Sequence, residues 1–213
     1  MKKIALSIGM AMMATLLMVG TPAEAQTRQQ KKDAKKEAKR LEKEGFKTML
    51  TPIETQLLEF YVNKDKTGED GNPKYLIATM ISTGQTYAAA QMTGQSQAKI
   101  RLAKQISGNV MAQFKSELAN KSESSMDATS VDVAMEKASE LTAQRLGQMI
   151  VAEEYYKVLP NNYYEYHVVL LYDRAMVGKV MLEDLRKELQ KHLNEWTPEY
   201  EKILQESVSN NLK

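Results

Sequence analysis

Residues 87–121, YAAAQMTGQSQAKIRLAKQISGNVMAQFKSELANK, decide the architecture. They are rich enough in Ala, Gln, Lys and Leu to form one long helix. Yet Gly94 and Gly108 sit inside it, each costing about 1 kcal/mol relative to alanine. At roughly 100° per residue, Met92, Ile106, Val110, Phe114 and Leu118 gather on one side, with Ala88 and Ala103 among them. Ala90, Gly94, Ala98, Gly108 and Ala112 fall on the opposite side. The spacing predicts a core stripe of large residues and a narrow face of small ones that lets another backbone approach closely, offsetting the helix cost of glycine. An exposed Ala/Gly face flanked by Gln91, Gln95, Arg101 and Gln105 fits the propensities equally well.

On either side of this helix the pattern turns to strands and shorter helices. YLIATMISTG (75–84) reads as a strand ending at Gly84. After the polar, turn-like NKSESSMDATS, a helix begins near Ser130 with Val131, Ala134, Met135, Ala138, Leu141, Leu146 and Met149 as its apolar stripe. MIVAEEYYKVLPNNYYEYHVVLLYDRA (149–175) holds two β-rich runs joined by Pro160-Asn161-Asn162, a hairpin signal because Asn accepts the positive φ of such turns. Val177, Val180, Met181, Leu185, Leu189 and Trp196 recur at helical spacing, and Thr197-Pro198 supplies an N-cap and first residue for a last helix. The order strand, helix, helix, strand, strand, helix predicts an α+β fold. About three antiparallel strands form a small sheet with helices packed on one face.

The first 25 residues, MKKIALSIGMAMMATLLMVGTPAEA, have a Lys2-Lys3 start, an apolar run to about Val19 and a small-x-small Ala23-Glu24-Ala25. That order predicts a secretory signal peptide cleaved after Ala25 and a periplasmic or secreted protein. The apolar run is too short for a spanning helix and is followed by Gly20-Thr21-Pro22. The 213 residues contain no cysteine, so neither a lipidation site nor a disulfide is available. The net charge of +2 is unevenly spread. Residues 28–47 hold nine basic against four acidic side chains, and the rest of the chain from Thr48 holds 18 against 22. Residues 26–47 therefore read as a basic, helix-prone arm that packs little, since Ala34, Ala38 and Leu41 are its only apolar stripe. Residues 48–73 read as a short amphipathic helix that could dock on the domain, with Pro52 at its start and Ile53, Leu57, Leu58 and Tyr61 on one face, followed by the loop KDKTGEDGNP. The α+β domain spans 74–196, and 197–213 form the C-terminal helix.

The strand ending at Gly84, AQMTGQSQAKIRLAKQISGNVMAQF with Ala98, Leu102-Ala103, Ile106 and Val110, and the later YYEYHVVLLYDR resemble the Lpp-twenty lipoprotein family of Gram-negative envelopes. KKEAKRLEKEGFK running into TPIETQLLEFY is similar to the start of secreted proteins from Bacteroidales-type bacteria. The likeness covers most of the mature chain and implies a small α+β envelope domain without established catalytic residues. The lipid-bearing cysteine of those lipoproteins is missing here, so outer-membrane anchoring does not carry over.

Catalytic signals are sparse. His167 and His192 lack metal-ligand spacing, and no nucleophile triad, phosphate-cradling glycine loop or zinc signature is present. Glu165 and His167 share a strand face that hairpin pairing could bring near Glu154, the one arrangement that would favour a hydrolase or other enzyme acting on an envelope component. Two binding elements stand out instead. Tyr155, Tyr156, Tyr164 and Tyr166 concentrate rings on the hairpin, as a binding strip or as sheet cover. Lys35, Lys36, Lys39 and Arg40 either give the arm attraction for anionic polymers or lipid headgroups, and with it a peripheral membrane association, or make it a solvated tether with its own Lys/Glu pairs. The arm lacks the aromatic interleaving of nucleic-acid readers. The expected function is a non-enzymatic cell-envelope protein that binds a protein or an anionic envelope polymer, with no cofactor, metal or nucleic acid. The signal-peptide reading places the mature N-terminus at Gln26, and an intact mass from the envelope fraction should match a chain starting there; a retained Met1 would overturn it.

Overall fold

The computed structural model describes residues 22–120, 128–147, 149–192 and 196–212. Residues 1–21 of the expected signal segment and residues 121–127 of the polar linker lie outside them. The elements run α1 (Pro22–Lys43), α2 (Ile53–Lys64), β1 (Tyr75–Gly84), α3 (Tyr87–Asn120), α4 (Ala128–Arg145), β2 (Ile150–Val158), β3 (Tyr164–Asp173), α5 (Arg174–His192) and α6 (Pro198–Asn211). The fold is α+β, with one antiparallel sheet of order β1-β3-β2.

β3 is central, and it alone of the three strands is buried on both faces. Tyr166, Val168, Leu170 and Tyr172 enter the main core, whereas Val169 and Leu171 join a small cluster on the other side with Ala152, Phe60 and Tyr75. The turn before β3 is built as its residues suggest: Asn162 has φ 62°, its N–H donates to Leu159 O at 2.9 Å, and Asn161 Oδ1 accepts from Tyr163 N at 3.2 Å. In β2 the register shifts between Val151 and Glu153. This bulge turns Ala152 and Glu153 to the same side, away from α3. Thr197 caps α6 by accepting from Tyr200 N at 3.2 Å, with Pro198 in its first turn. Trp196 does not extend the α5 stripe but meets the Tyr200 ring, centroids 6.2 Å apart.

The long helix α3 is buried along Ala90, Gly94, Ala98, Leu102, Ile106, Val110, Phe114 and Leu118, one residue in four. Four residues turn a helix by about 400°, so each buried position lies about 40° further round than the last. The stripe therefore winds. Its first half faces β1 and β3; its second half meets α4, where Lys115 pairs with Asp132 at 2.5 Å, and α6, where Gln113 accepts from Asn211 at 2.8 Å. A single straight face is thus the wrong description of this helix. Met92, expected in the core, is 72% exposed, Ala88 is also exposed, and Ala90, Gly94 and Ala98 are buried against the sheet.

The two helical glycines differ. A Cβ at Gly94 would stand 2.7 Å from Ser82 Oγ and 2.9 Å from Tyr166 Cδ1, where Ser82 Oγ already donates to Ala90 O at 2.6 Å. Gly94 is therefore where strand and helix touch. A Cβ at Gly108 would meet nothing within 4 Å.

α3 and α5 pack on one face of the sheet, as expected, and α4 and α6 pack on them. On the opposite face the amphipathic helix α2 docks as its pattern allows, and the arm, against expectation, joins it. The arm does pack: Ala34, Ala38 and Leu41 of α1 are buried with Ile53 and Leu57 of α2 and with Phe46. Alanines at this spacing let two helices approach closely, so a stripe of modest hydrophobicity still makes a dry contact. Gly45, at φ 88°, ends α1 in a Schellman motif, with Phe46 N donating to Leu41 O and Gly45 N to Glu42 O, both at 3.0 Å. Phe46 is thereby folded back on Leu41 and its ring meets His167 of β3, while α2 seats the pair on β2 and the margin of β1.

Gly94→Ala should destabilise by about 1 to 3 kcal/mol through overpacking against the buried Tyr166 ring, whereas Gly108→Ala should stabilise by up to about 1 kcal/mol. Thermal melts of the two variants check this, and shifts of the same sign would contradict it.

Candidate functional site

The hairpin tyrosines do not form one strip. Strand alternation sends Tyr155 to the α1–α2 side and Tyr156, Tyr164 and Tyr166 to the α3 side. Tyr155 lies 5.3 Å from both the Phe46 and His167 rings, and burial pushes its hydroxyl up to about 12. It fastens the arm to the sheet. Tyr166 is fully buried; its hydroxyl donates to Glu154 Oε2 at 2.9 Å and accepts from Gln95 at 3.4 Å, while Gln91 also donates to Glu154 at 3.1 Å. It is a core residue with its polar end satisfied. Tyr156 and Tyr164 are half-buried at the sheet end, beside Tyr87.

The Glu/His arrangement is likewise divided. Glu165 Oε1 meets His167 Nε2 at 2.8 Å and Lys157 Nζ at 2.8 Å, all on the face that carries Phe46. Glu154 pairs with Val168 and bonds Tyr166 and Gln91 on the opposite face. The three side chains expected to converge are therefore separated by the sheet. Among the described residues no group of three or more potential ligands could hold a metal ion.

On α1, the buried stripe fixes which side chains look outward. Lys35, Lys36 and Lys39 are exposed and make no ion pair among the described residues, and Arg28, Lys31 and Lys32 extend this outward side towards the N-terminus. Arg40, expected to share their role, instead pairs with Glu37 and Glu44. The result is a cationic side held rigidly outward by a docked apolar one. No helix among the described residues is long and apolar enough to cross a membrane.

The outer edge of β2 is filled by this same layer. Lys47 and Tyr156 exchange backbone hydrogen bonds of 2.7 and 2.9 Å. Gln56 is buried, and its Oε1 accepts from Glu154 N at 2.6 Å. No family model, curated protein or solved structure matches the chain. The likeness to the Lpp-twenty lipoproteins accordingly rests on sequence pattern alone.

Two features were missed from sequence. One is the hollow beside β1, for which ten residues without a charge were the available signal. The other is Glu153, whose position follows from the bulge and has no sequence signature. Only 4% exposed, it faces Glu37 of α1, Tyr61 and Lys64 of α2 and Tyr155 of its own strand. Burial, and then the Glu37 charge, push its carboxyl up from 4.5 to about 7, against smaller opposing effects of Tyr155 and Lys64. The folded chain thus keeps a proton that the unfolded chain releases near 4.5. Stability should fall as pH rises from about 4.5 to 7 and level off above. Glu153→Gln should remove this loss, raising stability over the parent by up to about 3 kcal/mol at pH 8 and by little at pH 4, as read by denaturant melts at both.

Proposed function

We propose that the protein is a non-enzymatic component of a bacterial cell envelope that binds an anionic envelope polymer through the outward side of α1. The observation that carries this reading is the seating of Ala34, Ala38 and Leu41, which turns Lys35, Lys36 and Lys39 to solvent on a helix that cannot roll. A flexible basic tether loses conformational entropy on meeting a surface, whereas a docked helix presents its charges preformed. The N-terminal signal pattern supports an envelope location, and the same cations suit phosphate or carboxylate groups of a cell-wall polymer or an anionic leaflet. The enzymatic alternative required Glu154, Glu165 and His167 on one side of the sheet; their separation favours binding over catalysis.

Such binding is long-range and screened beyond about 8 Å at physiological salt. The mature protein should therefore sediment with cell-wall sacculi or anionic vesicles at low salt and be released as salt rises. The triple variant Lys35→Gln, Lys36→Gln, Lys39→Gln should bind at least tenfold more weakly with an unchanged melting temperature, because these side chains are exposed. Unchanged binding by the triple variant would refute the assignment to α1.

A further inference from the structure

The two edges of the sheet are treated differently. At β2 the edge is occupied by Lys47, plugged by Gln56 and distorted by the bulge at Ala152. At β1 all ten residues, 75–84, pair in unbroken register with β3, and no strand among the described residues pairs with the other side. The segment YLIATMISTG contains no charge, proline or bulge, the usual devices that keep an edge from pairing.

Beside this edge lies a hollow of about 540 Å³ between β1 and α3, lined by residues 77–81 and by Ala98, Arg101, Leu102 and Gln105. It continues into a shallower one where Ile100 and Lys104 join Arg101. The two sides of the edge differ chemically. Towards α3 the charges are Arg101 and Lys104 alone, since α3 has no acidic residue from Tyr87 to Ser116. Neither cation makes an ion pair among the described residues. Away from α3, Ile77 and Ile81 are 44% and 56% exposed.

We infer that the β1 edge is a peptide-binding site that adds one extended segment of another protein to the sheet. The occupant alternates carboxylate and apolar side chains. Its backbone pairs with the outward N–H and C=O groups of β1, its carboxylates point to Arg101 and Lys104, and its apolar residues cover Ile77 and Ile81. A second copy of this chain is a poorer occupant. Two β1 strands paired across a two-fold axis would bring both sets of Arg101 and Lys104 to one seam, with no acid in either strand or in the facing part of either helix. The site is separate from the basic side of α1 and does not depend on that reading.

The test uses the mature protein with two eight-residue peptides, one alternating valine and glutamate, the other valine and lysine. Fluorescence anisotropy should show the glutamate peptide binding at least tenfold more tightly, and hydrogen exchange should slow at alternate amides of β1 when it is added. The double variant Arg101→Glu, Lys104→Glu, both on the exposed side of α3, should reverse the order of the two peptides; its thermal melt verifies that it is folded. Equal affinity for both peptides, or no slowing at β1, would overturn the proposal. So would a concentration-dependent dimer whose β1 amides are already protected without peptide.

Discussion

The close approach of α3 to the sheet at Gly94 organises the molecule. There α3 comes so near the sheet that the space a methyl group would need is taken by Ser82 Oγ and the Tyr166 ring, and Ser82 bonds the helix carbonyl at Ala90. Small residues at 90, 94 and 98 keep α3 low over β1 and β3 for its first half. The helix then runs on past the sheet, and its winding stripe picks up α4 and α6. Buried polar groups complete the joint between α4 and α5. Asp184, 2% exposed, accepts from Thr142 at 3.0 Å and pairs with Arg145, which also holds Glu183 at 2.7 Å.

Local chemistry was legible where one residue suffices to decide it. Asn162 at a positive φ, Thr197-Pro198 at a helix start and the β-branched and apolar residues of YLIATMISTG all led to the observed elements. The face of α3 was misread because summing directions over 34 residues assumes a stripe that stays put, and this one turns from layer to layer. Met92 belongs to the expected face by angle, yet at its height along the helix the core lies on the other side, at Ala90 and Gly94. The arm was underestimated for a related reason. Hydrophobicity scales reward large side chains, whereas Ala34 and Ala38 contribute by their smallness, and only the partner helix shows what they admit.

For the candidate sites, residue type was legible and side was not. The hairpin tyrosines and the Glu165–His167 neighbours were visible in the sequence. Which face each tyrosine takes depends on the register with β3, and the bulge at Ala152 changes that register partway along β2. Arg40 illustrates the same point on α1, where two acids three and four residues away occupy a cation that composition counts as available.

The seat of the α1–α2 pair has a kinetic consequence. The hydrogen bond from Glu154 N to Gln56 joins residues 98 apart, so the layer that is made first in synthesis waits for β2 before it can settle. Until then Ile53, Leu57 and the alanines of α1 have only each other, a two-helix hairpin short of a core of its own. Closing so long a loop is slow relative to forming either helix. The α1–α2 layer therefore stays undocked through most of synthesis, its two helices held by little more than each other until β2 is made.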